Sequence, residues 1–90
     1  MTDLTKEELN QLFPAECHFK VICRDLSDVH KNLNKALARV GLTDIAFQPG
    51  TRSSKGKYIS FEVSIEVETH DQMLQIDQSI RSVDGVKMLL

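Results

Sequence analysis

Between Arg52 and Tyr58 the chain reads Arg52-Ser53-Ser54-Lys55-Gly56-Lys57-Tyr58, which sets three cations, two hydroxyls and a glycine together without apolar periodicity. Gly50 and Gly56 permit unusual backbone angles, and successive N–H groups near them would form a nest for an anion. Ser53 and Ser54 add hydroxyl donors, while Arg52, Lys55 and Lys57 add charge. A phosphate or a carboxylate suits such a loop. The stretch lacks the Gly-x-x-x-x-Gly-Lys-Ser/Thr spacing and does not lead into a helix, which excludes a nucleotide P-loop. The plain alternative is a mobile hairpin tip kept soluble by its charges.

Lys55-Gly56-Lys57-Tyr58-Ile59-Ser60-Phe61 also echoes the Lys-Gly-aromatic signature of RNA recognition motifs. Those motifs stack bases on two or three aromatics displayed on one sheet face. Here strand parity turns only Tyr58 outward, sends Phe61 and Phe19 to the core, and lines the outer face with Glu62, Glu66 and Glu68. Carboxylates there repel phosphate, so nucleic-acid binding is not expected.

Other chemistry fails on spacing. Cys17 and Cys23 fall on one strand face roughly 20 Å apart, too far to share a zinc ion or form a disulfide. His18 points to the opposite side, and His30 and His70 sit near helix starts. Ser53 and Ser54 have no histidine nearby in sequence, and the histidines have no carboxylate orienter on a shared face. No metal or cofactor is expected, and no enzyme. Lys31, Lys35 and Arg39 form a basic stripe, which on a helix surface is usually a solvated face.

The elements that position these residues are legible in order. Thr5-Lys6-Glu7-Glu8 has capping-box spacing for a short helix ended by Pro14. Cys17 to Arg24 alternates as a strand, with Cys17, Phe19, Val21 and Cys23 inward. Ser27 or Asp28 caps a helix that buries Val29, Leu33, Ala36, Leu37 and Val40 and stops at Gly41. A short strand is expected over Asp44 to Gln48, and Pro49-Gly50 then opens the loop. Lys57 to Glu68 alternates without a break, Ile59, Phe61, Val63, Ile65 and Val67 inward, the mark of an antiparallel sheet with one solvated face. Thr69-His70-Asp71-Gln72 caps a second helix that buries Met73, Ile76, Ile80 and Val83. Asp84-Gly85 turns into a last strand expected to bury Val86, Met88 and Leu90. On the outer face His18, Lys20 and Arg24 are expected to face the glutamates of the neighbouring strand, leaving Ile22 and Leu89 as a small apolar spot. The order β-α-β-β-α-β predicts an α+β ferredoxin-like sandwich, four antiparallel strands with both helices on one face.

Ninety residues hold one small core. Residues 1–13 read as an extension with the short helix and 14–90 as the domain. The net charge of −2 gives no general pull toward nucleic acid or anionic lipid, so attraction for anions must be local. No stretch approaches the roughly 20 apolar residues of a membrane span, and Met1 to Leu12 reads as neither secretory signal nor transit peptide. With two cysteines and no signal, the expected location is cytoplasmic.

Phe13-Pro14, Phe19-Lys20-Val21, Ser53-Ser54-Lys55-Gly56-Lys57-Tyr58 and Val86-Lys87-Met88-Leu89-Leu90 resemble the YbeD-like family of small bacterial proteins. The resemblance runs from Phe13 onward, and the Ser-Ser-Lys-Gly-Lys-Tyr stretch is its most specific part. It implies a ferredoxin-like fold related in shape to ACT regulatory domains, which bind small effectors and often dimerise, and it implies no established activity. Asp77 departs from relatives, where that position is often aromatic, so a contact made there would be altered. ACT effector sites lean on a glycine between first strand and first helix, and Arg24-Asp25-Leu26-Ser27-Asp28 has none.

These readings converge on a small non-catalytic binding or regulatory domain. Contact with an unidentified protein partner comes first, and a small anionic ligand at the Arg52–Tyr58 loop second. The sequence leaves the oligomeric state open, a homodimer included.

Overall fold

The computed structural model describes residues 5–43, 45–53 and 55–90. Seven elements follow in order: α1 (Lys6–Gln11), β1 (Ala15–Arg24), α2 (Val29–Arg39), β2 (Gln48–Arg52), β3 (Tyr58–Val67), α3 (His70–Arg81) and β4 (Val86–Leu89). The four strands form one sheet in the order β2-β3-β1-β4, and every pairing is antiparallel. This is the expected α+β ferredoxin-like arrangement.

The core follows from the alternation in the two central strands. Phe19, Val21 and Cys23 of β1 and Ile59, Phe61, Val63, Ile65 and Val67 of β3 are buried against Val29, Leu33 and Leu37 of α2 and Ile76 and Ile80 of α3. α2 presents its apolar residues at i, i+4, i+7 and i+8, one face of an α-helix. Leu42 N–H donates to Leu37 C=O and Gly41 N–H to Ala38 C=O, the paired bonds of a Schellman end. Its start departs from expectation. Asp28 is the N-cap but its side chain makes no capping bond, and its backbone is helical where a capping residue is usually extended.

The Thr5 capping box forms as read, while Thr69 caps its helix without the reciprocal bond of a box. Thr5 Oγ1 accepts from Glu8 N–H at 3.1 Å, and Glu8 returns a bond to Thr5 N–H. Thr69 Oγ1 accepts from Gln72 N–H, while Gln72 Oε1 reaches past the cap to Glu68 N–H at 2.8 Å. α1 is held to the start of α3. Asn10 Oδ1 accepts from His70 N–H at 3.2 Å, Lys6 pairs with Asp71 at 3.4 Å, and the Phe13 ring lies 6.1 Å from that of His70.

Two bulges shift the edge strands. In β2, Pro49 pairs with Phe61 and Arg52 with Ile59, so Gly50 and Thr51 together face Ser60. The second strand therefore lies at Gln48–Arg52, later than the expected Asp44 to Gln48, of which Asp44 lies outside the described residues. Pro49-Gly50 belongs to the strand and does not open the loop. Gly50 is needed for close approach: a Cβ there would collide with Ser60 Oγ. Ser60, expected outward and solvated, is buried beneath it and donates to Thr51 C=O at 3.2 Å.

In β4, Ile22 pairs with Met88 and Cys23 with Val86, which leaves Lys87 as the extra residue. Parity changes across it. Val86 is half-buried and Leu89 buried, but Met88 and Leu90, both expected inward, are 50% and 64% exposed. α3 holds this strand by a charged relay: Asp77 accepts from Arg81 Nε at 2.6 Å, and Arg81 Nη2 reaches Leu89 C=O at 3.5 Å. Asp77 thus has a structural use in this chain.

Two measurements check this packing. Leu33→Ala should lower unfolding free energy in urea by about 2–5 kcal/mol, the range for a buried leucine that leaves a cavity. Gly50→Ala should cost about 1–3 kcal/mol by overpacking, and Ser60→Ala in the same chain should recover part of that loss. Simple addition of the two costs would contradict the contact.

Candidate functional site

The outer sheet face collects most of the polar residues singled out by sequence. Along β1 its outward row is Glu16, His18, Lys20, Ile22 and Arg24, and along β3 it is Glu66, Ser64, Glu62, Ser60 and Tyr58, each paired with its neighbour in register. The middle row continues across all four strands, Gln48 opposite Glu62, Glu62 opposite Lys20, and Lys20 hydrogen-bonded in both directions to Leu90. A trench of about 650 Å³ follows this row and is also lined by His18, Ser64, Ile45 and Ala46.

Charge pairing on this face differs from expectation. Lys20 alone of the β1 cations lies directly opposite a glutamate, Glu62. His18 faces Ser64, Arg24 faces Tyr58, and Glu16 faces Glu66, a like-charged pair. The apolar spot is Ile22 with Met88, not Ile22 with Leu89, because the Lys87 bulge turns Leu89 into the core.

One constellation was not expected. Ser64 Oγ lies 2.6 Å from His18 Nδ1, and His18 Nε2 lies 3.5 Å from Glu16 Oε1. β1 begins at Ala15, two residues before the strand read from sequence, and the extension brings Glu16 onto the same face as His18. The order hydroxyl, imidazole, carboxylate is that of an acyl-transfer triad. Its setting is different: the His18 and Glu16 side chains are 76% and 66% exposed. Electrostatic stabilisation of a developing oxyanion is strongest where water is excluded. On an open face this is one surface hydrogen bond, between Ser64 and His18, with a looser approach of Glu16 to the imidazole.

The basic loop divides into a committed base and an exposed tip. Arg52 ends β2, and its Nε donates to Asp25 Oδ2 at 2.9 Å. Asp25 N–H donates to Lys57 C=O, so the turn after β1 is tied to the hairpin twice. Ser53 N–H donates to Tyr58 C=O, Tyr58 N–H to Ser53 Oγ, and Gly56 N–H to Ser53 C=O. Gly56 takes φ +68°, in the left-handed region open to glycine. Three N–H groups that an anion nest would draw on are thus spent inside the hairpin. Lys55 and Lys57 stand exposed at the tip, and Ser54 lies outside the described residues.

The base of the loop meets the sheet. Lys20, Ile22, Thr51, Arg52, Ser53 and Tyr58 line one cleft of about 220 Å³ that joins the hairpin to the apolar spot. Neither motif nor parity along one strand signals this junction, because it arises from the bulge that folds β2 over Ser60.

The remaining candidates sit elsewhere. Cys17 is half-buried and Cys23 buried on the inner face. Burial, helped by the Asp25 carboxylate, pushes the Cys23 thiol above its ordinary pKa, which disfavours the reactive thiolate. Lys31 and Lys35 flank a shallow groove on α2 with His30, whose ring stacks 5.2 Å from Phe61. Among the described residues no three His, Cys, Asp or Glu side chains converge as metal ligands, and no helix is long and apolar enough to cross a membrane.

With this geometry in hand, the comparisons place the chain. It is 33% identical over 91 residues to a UPF0250 protein of Shewanella piezotolerans, covering the whole of both chains. A solution structure of a Helicobacter pylori protein superposes with a TM-score of 0.71 at 26% identity, covering 87% of this chain and 82% of that one. The ACT domain of a GTP pyrophosphokinase from Chlorobium tepidum superposes with a TM-score of 0.61 at 13% identity over 83% of this chain and 94% of that one, a likeness of fold alone. The family described as protein of unknown function DUF493 matches residues 8–90. The chain belongs to this family, whose members include the YbeD-like proteins that its loop and strand motifs resemble.

Proposed function

We propose that the protein is a non-catalytic binding module that engages a protein partner through the outer face of its sheet, at the end where the basic hairpin joins it. The observation that carries this reading is the cleft shared by Ile22, Lys20, Arg52, Ser53 and Tyr58. It sets an aromatic and an aliphatic side chain among cations, with Met88 exposed beside Ile22. Aromatic anchors ringed by polar groups are the usual core of a protein contact. Residues 14–90 would be the binding domain, residues 1–13 an extension, and the cytoplasm the place of action.

A small anion at the hairpin tip is the second reading. Lys55 and Lys57 favour it in charge, but the hairpin's own hydrogen bonds leave fewer donors to hold an anion. Protein contact uses the exposed side chains without needing a nest.

The test is affinity capture from the cells that make the protein, comparing the wild type with an Ile22→Ala/Tyr58→Ala variant of unchanged circular dichroism. Loss of an aromatic anchor typically weakens a contact by about 2 kcal/mol, roughly 30-fold. Partners held by the wild type should therefore be lost from the variant, and recovery of the same partners would overturn the reading. In parallel, thermal stabilisation by phosphate that an Arg52→Ala/Lys55→Ala/Lys57→Ala variant abolishes would favour the anion instead.

A further inference from the structure

We propose that the protein contact is made with a second copy of this chain, the outer sheet faces of two molecules stacked about a two-fold axis that crosses the strands at the Lys20–Glu62 pair. This rests on the binding reading above and adds the identity of the partner.

Charge is distributed unevenly along the two outward rows. Glu16 and Glu66 stand opposite each other at one end, and Arg24 stands beside Tyr58 at the other, next to the hairpin tip that carries Lys55 and Lys57. The ends are eight residues apart, about 27 Å at the strand rise. That exceeds the screening length of roughly 8 Å at physiological salt, so the ends do not compensate each other within one molecule. Like charges directly opposite on neighbouring strands are destabilising, and Glu16–Glu66 is such a pair. The face carries an unmet demand for cations at one end and holds them at the other.

A two-fold axis through the middle row meets that demand. Each outward row has five members centred on Lys20 or Glu62, so reversal of strand direction sets Glu16 of either copy over Arg24 of the other. On the axis Lys20 lies over Lys20 and Glu62 over Glu62 of the other copy, each with the opposite charge one strand away, and the tip lysines lie over the Glu66 end. Leu90, exposed on this face in the middle row beside Lys20, comes over Leu90 of the other copy. The trench along the middle row gives the long side chains room. Stacking with the strands parallel would instead set Glu16 over Glu66 and deepen the repulsion.

The sheet edges offer a poorer route to a pair. β2 carries Pro49 and a bulge, and β4 is four residues long with Lys87 at its bulge. Prolines, bulges, lysines and short strands are the devices that block edge-to-edge pairing. Strand spacings give the outer face a footprint of roughly 500 Å², below the roughly 800 Å² per partner of a standard interface. The pair is therefore expected to be reversible, in the micromolar range and weakened by salt.

Light scattering of the full chain tests this. The weight-average mass should rise from 10.2 kDa toward twice that value as concentration increases from about 1 µM to about 1 mM. Arg24→Glu and Glu16→Arg should each weaken association at least tenfold while leaving the amide spectrum of a folded monomer. Mixed in equal amounts, the two variants should associate again, because each supplies the charge the other lacks. A wild type that stays at 10.2 kDa at about 1 mM overturns the proposal, as does a pair indifferent to both reversals. A monomeric wild type whose Ile22→Ala/Tyr58→Ala variant loses its captured partners overturns the second copy and leaves the binding reading standing.

Discussion

Ten consecutive pairs, from Ala15 with Val67 to Arg24 with Tyr58, join β1 to β3 without a register shift. Every other feature of the molecule is referred to that ladder. A slip of one residue would turn Phe19, Val21, Phe61 and Val63 to solvent and bring Lys20 and Glu62 into the core. The buried faces of α2 and α3 pack on this inner surface, so the helices depend on the register as well as the strands. The outward residues inherit their order from the same constraint. Their charges therefore have fixed neighbours, and the outer face has a defined basic end and acidic end.

The central ladder was also the most legible part of the sequence. Unbroken alternation from Lys57 to Glu68 has one structural interpretation, and the helix periods around Leu33 and Ile76 agree with it. The edge strands were less legible for a physical reason. A bulge adds one residue without changing composition, and parity counted from the turn then predicts the wrong face. Lys87 does this in β4, sending Leu89 inward and Met88 outward. Gly50 and Thr51 do it in β2, burying Ser60 where alternation reads as solvated. Pro49-Gly50 reads locally as a turn, and only pairing with β3 makes it a strand.

The candidate site divides along the same line. The exposed lysines of the hairpin could be read directly, because polar residues without periodicity mark a loop whatever lies around it. The bond from Arg52 to Asp25 could not, since it joins residues 27 apart whose only link is the closing of the sheet. The grouping of Ser64, His18 and Glu16 likewise depends on where β1 begins, and strand starts are set by pairing more than by residue type. What emerges is a surface in place of a pocket: a sheet face with a charged middle row and an apolar spot that adjoins a basic hairpin.

A dilution series followed by backbone amide NMR tests self-association through that surface most directly. The account predicts concentration-dependent shifts concentrated at Glu16, Ile22, Arg24, Tyr58 and Glu66, with α2 unmoved. Shifts centred on Lys31 and Lys35 of α2, or spectra identical at every concentration, would contradict it.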